Sequence, residues 1–492
     1  MTSRQRARPA DTVLGVGWPT PRGELEQGGM RTPQLPTALV GDGLGVPCLD
    51  GEERPYLNLD AAASTSALPS VAARVHGFLP WYASVHRGAG YKSREATRAY
   101  EHARTSMLAF AGRGGPDDDV AIICRNTTEA INHLAYRLRF NNEDVVVTTV
   151  VEHHANLLPW GRVARLGFVE CDGDGTFDRD GMIAALDTRP APRLLAVTGA
   201  SNVTGWMPKV DDLIESAHER GIPVLVDAAQ LAPHRALPAT ADYLVWSGHK
   251  MYAPFGAGVL IGPRATFEVG DPFLAGGGAV DLVDLNEVAW TSPPDREEAG
   301  SPNVLGAVAL DAAIEEVRRI GWTAIAHHDN ELAHALRAGL AGIAGVRVLG
   351  PSLGTETLPV ATFVVHGVHH ALVAARLSAE FAIGVRHGCF CAHPYLIRLL
   401  GLSEREVGHY REAVRRGDRR QMPGGIRASA GISTTVDDVE RFLDAVRAIV
   451  ASPDAGPAHF EQDPTSGDFW PSTVAAGWEG SDRAPGAVCA RG

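Results

Sequence analysis

Short apolar runs without polar alternation most constrain the fold of this 492-residue chain. Such runs are typical of strands that are buried on both faces, as in a parallel sheet covered by helices on its two sides. The predicted strands are 120–124, 144–150, 194–197, 224–226, 243–246 and 259–261, and the predicted helices between them include 93–110, 128–138 and 211–220. This order of elements predicts an α/β protein with a mostly parallel sheet.

The pattern changes beyond these strands. Residues 305–319 form a predicted long helix, and from about residue 323 the order is helix, two antiparallel-type strands (346–349 and 358–365), helix (370–381), strand and helix (436–450). We therefore predict a large domain over residues 51–320, whose first part packs on a small α+β C-terminal domain over residues 321–452. Residues 1–50 and 453–492 are rich in proline and glycine without periodicity, which predicts a disordered N-terminal extension and a disordered C-terminal tail.

Charge and composition exclude several classes of function. The formal net charge of −13 argues against nucleic acid or an anionic membrane as the main partner. No uncharged apolar run reaches the roughly 18 residues of a transmembrane helix, and no apolar segment follows the N-terminal arginines as it would in a signal peptide. The six cysteines are scattered, which predicts free thiols in a reducing compartment and hence a cytoplasmic protein.

Two predicted strand ends carry residues that indicate a catalytic function. The run 222–226 ends in Asp227, and the run 243–246 is followed within four residues by Lys250. A lysine held at a strand end can be desolvated enough to attack a carbonyl, and a buried aspartate is rare unless it is paired. Pyridoxal phosphate (PLP) needs both, a lysine that attaches to it covalently and a carboxylate that pairs with its pyridine nitrogen. On this stretch alone, Asp227 as a helix N-cap and Lys250 as a solvated loop lysine remain alternatives.

Polar residues follow the other predicted strands at equivalent places. Thr127 and Thr128 begin a predicted helix after strand 120–124. The N–H groups and hydroxyls at such a helix start can bind an anion, although ordinary N-capping of the helix explains these residues as well. His153 follows strand 144–150, where it can stack on a cofactor ring or simply be a surface histidine. Asn202 follows strand 194–197. Ligand-binding residues of parallel sheets lie at the carboxyl ends of the strands, so we predict that these residues lie in one site with Asp227 and Lys250. We predict that Ser247 and His249 complete the phosphate-binding part of this site.

Motifs in this order resemble the class V aminotransferase superfamily of fold-type I PLP enzymes, and most closely its cysteine desulfurase/selenocysteine lyase branch. The resemblance covers about residues 55–445. Its main motifs are Asn126-Thr127-Thr128-Glu129, Glu152-His153-His154-Ala155-Asn156, Asp227-Ala228-Ala229-Gln230, Ser247-Gly248-His249-Lys250, Glu298-Ala299-Gly300-Ser301 and Arg386-His387-Gly388-Cys389-Phe390-Cys391-Ala392-His393-Pro394.

The resemblance implies a PLP-dependent transferase fold of type I, with a mostly parallel seven-stranded sheet in the large domain and a smaller α+β domain. It implies that Lys250 binds PLP covalently, that Asp227 pairs with the pyridine nitrogen, that Gln230 bonds the ring hydroxyl and that His153 stacks on the ring. The implied phosphate ligands are Thr127, Thr128, Ser247 and His249, with Ser301 donated by the other subunit of a homodimer. The implied ligands of the substrate carboxylate are Asn202, Arg386 and Arg427.

The cysteine loop indicates the reaction. The family pattern Arg-x-Gly-x-x-Cys-Ala-x-Pro places the sulfur-accepting cysteine at Cys391. The resemblance then implies removal of sulfur (or selenium) from an L-cysteine-type small substrate through an enzyme persulfide, giving alanine and serving a possible sulfur-acceptor protein. An inert buried Cys391 is the alternative, as in another class V enzyme, such as a C–S lyase, an epimerase or an aminotransferase. A non-catalytic persulfide carrier is the alternative outside enzymes.

The same loop suggests a rival metal site, because His387, Cys389, Cys391 and His393 alternate as if on one face of a strand. Residues two apart on a strand lie about 6.6 Å apart, so four of them cannot all reach one ion at about 2.0–2.3 Å. We therefore predict no metal site.

The loop also departs from the desulfurase pattern. Cys389 is a second thiol, His387 stands where threonine is frequent, and about three dozen residues, 392–426, separate the loop from Arg427. Ser433 and Thr434 replace the usual Tyr-Asn pair. In its second cysteine and the long insertion the loop also resembles the PLP domain of molybdenum cofactor sulfurases, which leaves the substrate and the sulfur acceptor open.

Overall fold

The computed structural model describes residues 35–114, 118–455 and 459–472. The strands of this part of the chain are β1 Gly45–Pro47, β2 Glu53–Pro55, β3 Leu57–Asn58, β4 Asp119–Cys124, β5 Val145–Thr149, β6 Arg165–Val169, β7 Leu194–Thr198, β8 Val224–Asp227, β9 Tyr243–Ser247, β10 Gly258–Pro263, β11 Val280–Val283, β12 Val288–Trp290, β13 Val346–Leu349, β14 Val360–Val365, β15 Ile383–Gly384, β16 Arg386–Gly388, β17 Gly425–Ser429, β18 Phe460–Gln462 and β19 Phe469–Pro471.

The α-helices of the same residues are α1 Pro69–Phe78, α2 Tyr91–Phe110, α3 Thr127–Arg137, α4 Arg179–Leu186, α5 Val210–His218, α6 Arg264–Glu268, α7 Val304–Ile320, α8 Trp322–Ala341, α9 His370–Phe381, α10 His393–Leu400, α11 Glu404–Arg415 and α12 Val436–Ala451. Within these described residues, no helix is both long enough and apolar enough to cross a membrane.

A seven-stranded sheet in the order β4-β10-β9-β8-β7-β5-β6 forms the centre of the fold. β10 runs antiparallel to its neighbours β4 and β9, and the other pairs are parallel. Every residue of β5, β7, β8 and β9 is buried, which is why these strands read as continuous apolar runs in the sequence. The predicted α/β class with a mostly parallel seven-stranded sheet is confirmed.

Both faces of this sheet are packed. Alternate strand residues point to opposite faces, so Val147 and Val226 join the core formed with α2 and α7, whereas Val146 and Leu225 join the core formed with α3. The edge strand β6 was missing from the sequence prediction. Its burial is partial, so it lacks the continuous apolar run by which its neighbours are recognised.

A second sheet, β13-β14-β17-β16, is antiparallel throughout. Its core includes buried residues of α8, α9 and α12. Leu57 and Leu59, which precede the large sheet in the chain, are buried in this same core, and β3 pairs with β15. The segment 57–60 therefore lies beside β17 and brings Asp60 next to Arg427.

Parts of the two terminal segments that were predicted to be disordered form strands. β1, inside the range 1–50, pairs with β2, and β18 and β19, inside the range 453–492, form a hairpin. Phe460 of this hairpin is buried against Leu372 and Ala379 of α9, an apolar contact that a three-residue strand does not reveal in sequence. The predicted disorder of residues 1–34 and 473–492 lies outside the described residues.

The long segment between Cys391 and Arg427 is folded into two helices, α10 and α11. A capping box of Ser403 and Glu406 begins α11. Both ends of the segment return to the second sheet, where Arg386 of β16 lies opposite Arg427 of β17. The two arginines are therefore neighbours across β16 and β17 despite the long segment between them.

Candidate active site

The ends of β4, β5, β7, β8 and β9 surround a cavity of about 250 Å³, and the cysteine loop and β17 close it from the side of the second sheet. It brings together every predicted site residue except one: Thr127, Thr128, His153, Asn202, Asp227, Gln230, Ser247, His249, Lys250, Arg386, Cys391 and Arg427. Ser301 is exposed and is not among the residues that line it.

Lys250 ends the short 3₁₀ helix Gly248–Lys250, which follows β9 directly. Burial lowers the pKa of its amine to about 8, an effect that nearby Asp227 opposes. A lysine with this pKa has a substantial neutral fraction near pH 7–8, so its nitrogen can act as a nucleophile.

Asp227 is the last residue of β8 and is buried. Burial raises the pKa of its carboxyl group, against the effects of the Ala229 N–H and of Lys250. The Ala229 N–H donates to Oδ1 at 3.0 Å, which leaves Oδ2 for a ligand in the cavity. A cationic N–H partner in the cavity would compensate this buried carboxylate.

His153 follows β5 and presents a neutral ring to the cavity. Its Nδ1 accepts a hydrogen bond from the Ala155 N–H at 3.0 Å, so the ring proton is on Nε2. Burial, with the charge of Lys250 as the next cause, lowers the pKa of His153 to about 3.

Glu152, the residue before His153, is fully buried and was not among the predicted site residues. Its carboxylate accepts hydrogen bonds from the Thr149 hydroxyl, the Asn156 amide and the Thr198 N–H at 2.7–3.0 Å. Trp160 Nε1 in turn donates to Asn156 Oδ1. Burial raises the pKa of Glu152 to about 8. The sequence motif places this acid next to His153, a predicted cofactor-binding residue. The role of the acid depends on contacts that the sequence alone does not show.

The N-terminus of α3 lines one end of the cavity. Thr127 is its first residue, and both the N–H and the hydroxyl of Thr127 hydrogen-bond Ser247 Oγ, at 2.8 and 2.6 Å. Asn126 caps the helix by accepting from the Glu129 N–H. These hydroxyls and helix-end N–H groups form a donor set that suits an anion.

Gln230 and His249 are fixed by their contacts with the segment 62–65. Gln230 Nε2 donates to Ala62 O at 2.7 Å, which leaves the side-chain oxygen of Gln230 to accept a hydrogen bond. The backbone oxygen of His249 accepts hydrogen bonds from the Thr65 N–H and hydroxyl.

Arg427 on β17 supplies a buried positive charge on the opposite side of the cavity. It donates from Nη2 to Asp60 Oδ1 and from Nη1 to Asn202 O, both at 2.9 Å, while its buried Nε has no partner among the described residues. Burial lowers the pKa of the guanidinium, although Asp60 opposes this. Arg386 is more exposed and lies 3.7 Å from Asp60. Asp60, which sequence reasoning missed, therefore holds both arginines near the cavity.

The cysteine loop is a tight turn, so the extended geometry assumed for residues 387–393 is wrong beyond Gly388. β16 ends at Gly388, Phe390 and Cys391 both have φ of 55°, and the Ala392 N–H donates to Cys389 O at 2.9 Å. Two successive positive φ values with this hydrogen bond are the pattern of a type I′ turn, which is strained for residues other than glycine, asparagine and aspartate.

Surrounding residues hold this strained turn. Asn202 Nδ2 donates to Phe390 O at 2.7 Å, and the Arg427 guanidinium lies 5.2 Å from the centre of the Phe390 ring. Cys391 is exposed and lines the cavity, whereas Cys389 is half-buried and its burial raises the pKa of its thiol. The turn therefore presents one of its two thiols to the ligand cavity.

Comparisons with known proteins agree with this geometry. The model of the family described as Aminotransferase class-V matches residues 57–442. A probable cysteine desulfurase of Synechocystis sp. is 34% identical over 409 residues, which cover 80% of this chain and 91% of the relative. A cysteine desulfurase of Dickeya dadantii is also 34% identical, over 80% of this chain and 92% of the relative.

Solved structures show the same likeness. The apo cysteine desulfurase of Thermococcus onnurineus NA1 superposes with a TM-score of 0.72 at 31% identity and covers 81% of this chain and 95% of its own. The cysteine desulfurase CsdA of Escherichia coli, in an S-sulfonic acid form, superposes with a TM-score of 0.68 at 30% identity over 80% and 95% of the two chains. The chain therefore belongs to the class V aminotransferase family of PLP-dependent enzymes.

Proposed function

We propose that this chain is a PLP-dependent cysteine desulfurase, which removes sulfur (or selenium) from an L-cysteine-type substrate through a persulfide on Cys391 and gives alanine. The observation that carries the proposal is the position of the exposed Cys391 thiol on a held turn, beside the cavity that contains Lys250 and Asp227. The sequence likeness to cysteine desulfurases over four-fifths of the chain supports the same reaction.

The residues of the cavity fit PLP. The Asp227 carboxylate is buried, and within the described residues only its Oδ1 accepts a hydrogen bond, so Oδ2 suits a protonated pyridine nitrogen. Lys250 offers a partly neutral amine for the covalent bond. The uncharged ring of His153 suits stacking on a flat heterocycle. Thr127, Thr128, Ser247 and His249 would bind the phosphate group, and Gln230 would accept from the ring hydroxyl.

Bound PLP would supply an electron sink that makes the substrate α-proton acidic. The chain's own residues orient the substrate and move its protons. Arg427 would hold the substrate carboxylate together with Asn202 and Arg386, since a guanidinium matches a carboxylate with two parallel hydrogen bonds. The neutral amine of Lys250 would accept the α-proton of the substrate.

Sulfur transfer would then occur at Cys391. Its thiolate attacks the substrate sulfur, so that a bond forms between Cys391 Sγ and that sulfur while the Cβ–S bond of the substrate breaks. The electron pair of the broken bond stays on carbon, which takes up a proton and ends as the methyl group of alanine. The sulfur remains on Cys391 as a persulfide, from which a thiol of an acceptor protein would remove it.

The proposal includes a homodimer in which Ser301 completes the phosphate site of the other subunit. Ser301 is exposed and lies outside the cavity of its own chain. We also infer a cytoplasmic location, since the described cysteines Cys48, Cys124, Cys171, Cys389 and Cys391 are free thiols.

Cofactor attachment and product formation together test this function. Borohydride reduction of the PLP-loaded protein followed by peptide mapping should label Lys250 and should fail in Lys250→Ala. The other lysines, Lys92 and Lys209, are exposed, so their alanine variants are controls that keep the label. Incubation with L-cysteine should produce alanine in wild type. A label on another lysine, or no alanine from a PLP-loaded protein, would refute the proposal.

A further inference from the structure

Two histidines outside the proposed cofactor and substrate ligands contact the cysteine turn. His154 begins the 3₁₀ helix His154–Asn156, and His393 is the first residue of α10. Their rings are stacked, with centroids 5.1 Å apart and planes within 3° of parallel. The His154 N–H donates to Cys391 O at 2.7 Å. His154 is therefore bonded to the backbone of the proposed sulfur acceptor and stacked on a residue two positions beyond it.

Hydrogen bonds define the protonation of this pair. The backbone N–H of His393 donates to His154 Nε2 at 3.2 Å, and because a backbone N–H is only a donor, Nε2 must be unprotonated. The His393 Nδ1 lies 3.3 Å from the same atom. Burial lowers the pKa values of both rings, and the neighbouring His393 further lowers that of His154. The neutral form of His154 is thus the form that makes these contacts.

We propose that His154 and His393 form a clamp that positions the Cys391 turn for sulfur transfer, and that protonation of His154 opens the clamp. This inference rests on the proposed function. Phe390 and Cys391 both hold φ of 55°, a conformation that costs free energy and persists only where neighbouring contacts impose it. Asn202 holds the carbonyl of Phe390, and the clamp holds the next carbonyl and the start of α10.

Protonated His154 would place an Nε2–H against the backbone N–H of His393, which can only donate. Loss of that bond would free the start of α10 and loosen the turn at Cys391, whose thiol must be aligned with a substrate atom. The 3₁₀ helix packs on α3 and β7, and β7 has no ionisable side chain. The titratable residues next to His154 in the chain and on the cysteine turn include His153, Cys391 and His393, and the ionisable side chains carried by α3 are Glu129, His133, Tyr136 and Arg137.

Variants of His154 test the clamp. Gln at position 154 can place an amide oxygen near the position of Nε2 and cannot become protonated at that atom, whereas Ala removes the acceptor. Hydrogen exchange of the segment 386–393 in the PLP-free protein should be faster in His154→Ala than in wild type and near wild type in His154→Gln. His409→Ala, on the exposed surface of α11, is the control.

A second measurement distinguishes a loss of Cys391 positioning from a general loss of enzyme activity. The ratio of alanine formation to substrate α-proton exchange should fall by about 10- to 100-fold in His154→Ala. In wild type this ratio should fall more at acidic pH than in His154→Gln, because only wild type has a ring nitrogen at position 154 that takes up a proton. Unchanged exchange and an unchanged ratio in His154→Ala, or the same acid-side fall in wild type and His154→Gln, would overturn the inference. If wild type forms no alanine, the proposed function fails, whereas the hydrogen-exchange result still decides whether the clamp exists.

Discussion

The environment of Lys250 connects burial with reactivity at the scale of a single residue. Desolvation disfavours the charged amine, while Asp227 at the neighbouring strand end favours it, and the balance puts the pKa at about 8. Arg427, on the other side of the cavity, acts in the same direction as burial. A lysine at a strand end was visible in the sequence, but the balance of these three effects required the positions of residues far apart in the chain.

This balance predicts how PLP attachment depends on pH. In the PLP-free enzyme, the rate of attachment should rise as Lys250 loses its proton, with a midpoint at about pH 8. Asp227→Asn should move the midpoint to lower pH, because the carboxylate that favours the protonated amine is removed. Stopped-flow absorbance across pH 6–10 measures both. A wild-type midpoint near 10.5, the ordinary lysine value, would show that Lys250 is not desolvated.

At the scale of elements, the sheet could be predicted because its strands are buried on both faces. Six of its strands were recognised, and α9 begins and ends where the sequence predicted. α10 and α11 were missed, since α10 has only 8 residues and α11 buries only Ala413 among its residues. The turn at Cys391 was missed because positive φ values at Phe390 and Cys391 are imposed by distant residues, among them Asn202 and His154.

In the candidate site, too, features that depend on residues distant in the chain could not be predicted from the sequence. Its strand-end residues could be predicted, because the carboxyl ends of parallel strands meet. Asp60 and Glu152 could not be assigned roles in this way. The role of Asp60 depends on a contact with Arg427, 367 residues away in the chain. The role of Glu152 depends on a bond from β7, where the Thr198 N–H reaches its carboxylate.

Glu152 links β5 and β7 and gives a prediction on stability. Its pKa is raised from 4.5 to about 8 in the folded protein, so the folded state binds more protons than the unfolded state between these pH values. Its contribution to the free energy of unfolding should therefore fall as pH rises from about 4.5 to 8, by up to about 1.4 kcal/mol per pH unit.

Urea unfolding at several pH values measures this effect. The difference in unfolding free energy between wild type and Glu152→Gln should decrease from pH 5 to pH 8, because glutamine does not titrate. Glu143→Gln, at an exposed position, should show no such trend. A difference that is constant with pH would contradict a raised pKa at Glu152.

At the scale of the whole molecule, the hairpin of β11 and β12 is an apolar surface feature. Leu282 and Val283 are mostly exposed and Leu285 at its tip is fully exposed. Ala279 O, at the base of the hairpin, accepts from the Thr291 N–H, and nearby Gly277 O accepts from the N–H of Gly300, the residue before Ser301. The base of the hairpin is therefore bonded to the segment that carries Ser301, and we propose that the partner subunit of the homodimer covers the hairpin.

Leu285→Asp tests this arrangement. The wild-type protein should have twice the chain mass by light scattering, and the variant should shift toward monomer and bind PLP more weakly, because a charge would be buried at the interface. Leu353→Asp places the same charge at an exposed leucine elsewhere and should remain dimeric. A dimer of undiminished stability in Leu285→Asp would exclude the hairpin as the interface.

The reaction of the whole enzyme depends on which thiol accepts sulfur. Cys391 is exposed and lines the cavity, whereas Cys389 is half-buried with a raised pKa. In the proposed reaction, substrate α-proton exchange needs Lys250 and bound PLP but neither cysteine, so it would report an intact site when sulfur transfer fails.

The most direct test measures alanine formation and α-proton exchange from L-cysteine in wild type, Cys391→Ser and Cys389→Ser. We predict that Cys391→Ser loses alanine formation while it keeps α-proton exchange, and that Cys389→Ser keeps both. Full alanine formation by Cys391→Ser would contradict the desulfurase assignment and indicate a lyase or aminotransferase, and loss of alanine only in Cys389→Ser would assign the sulfur to the other thiol.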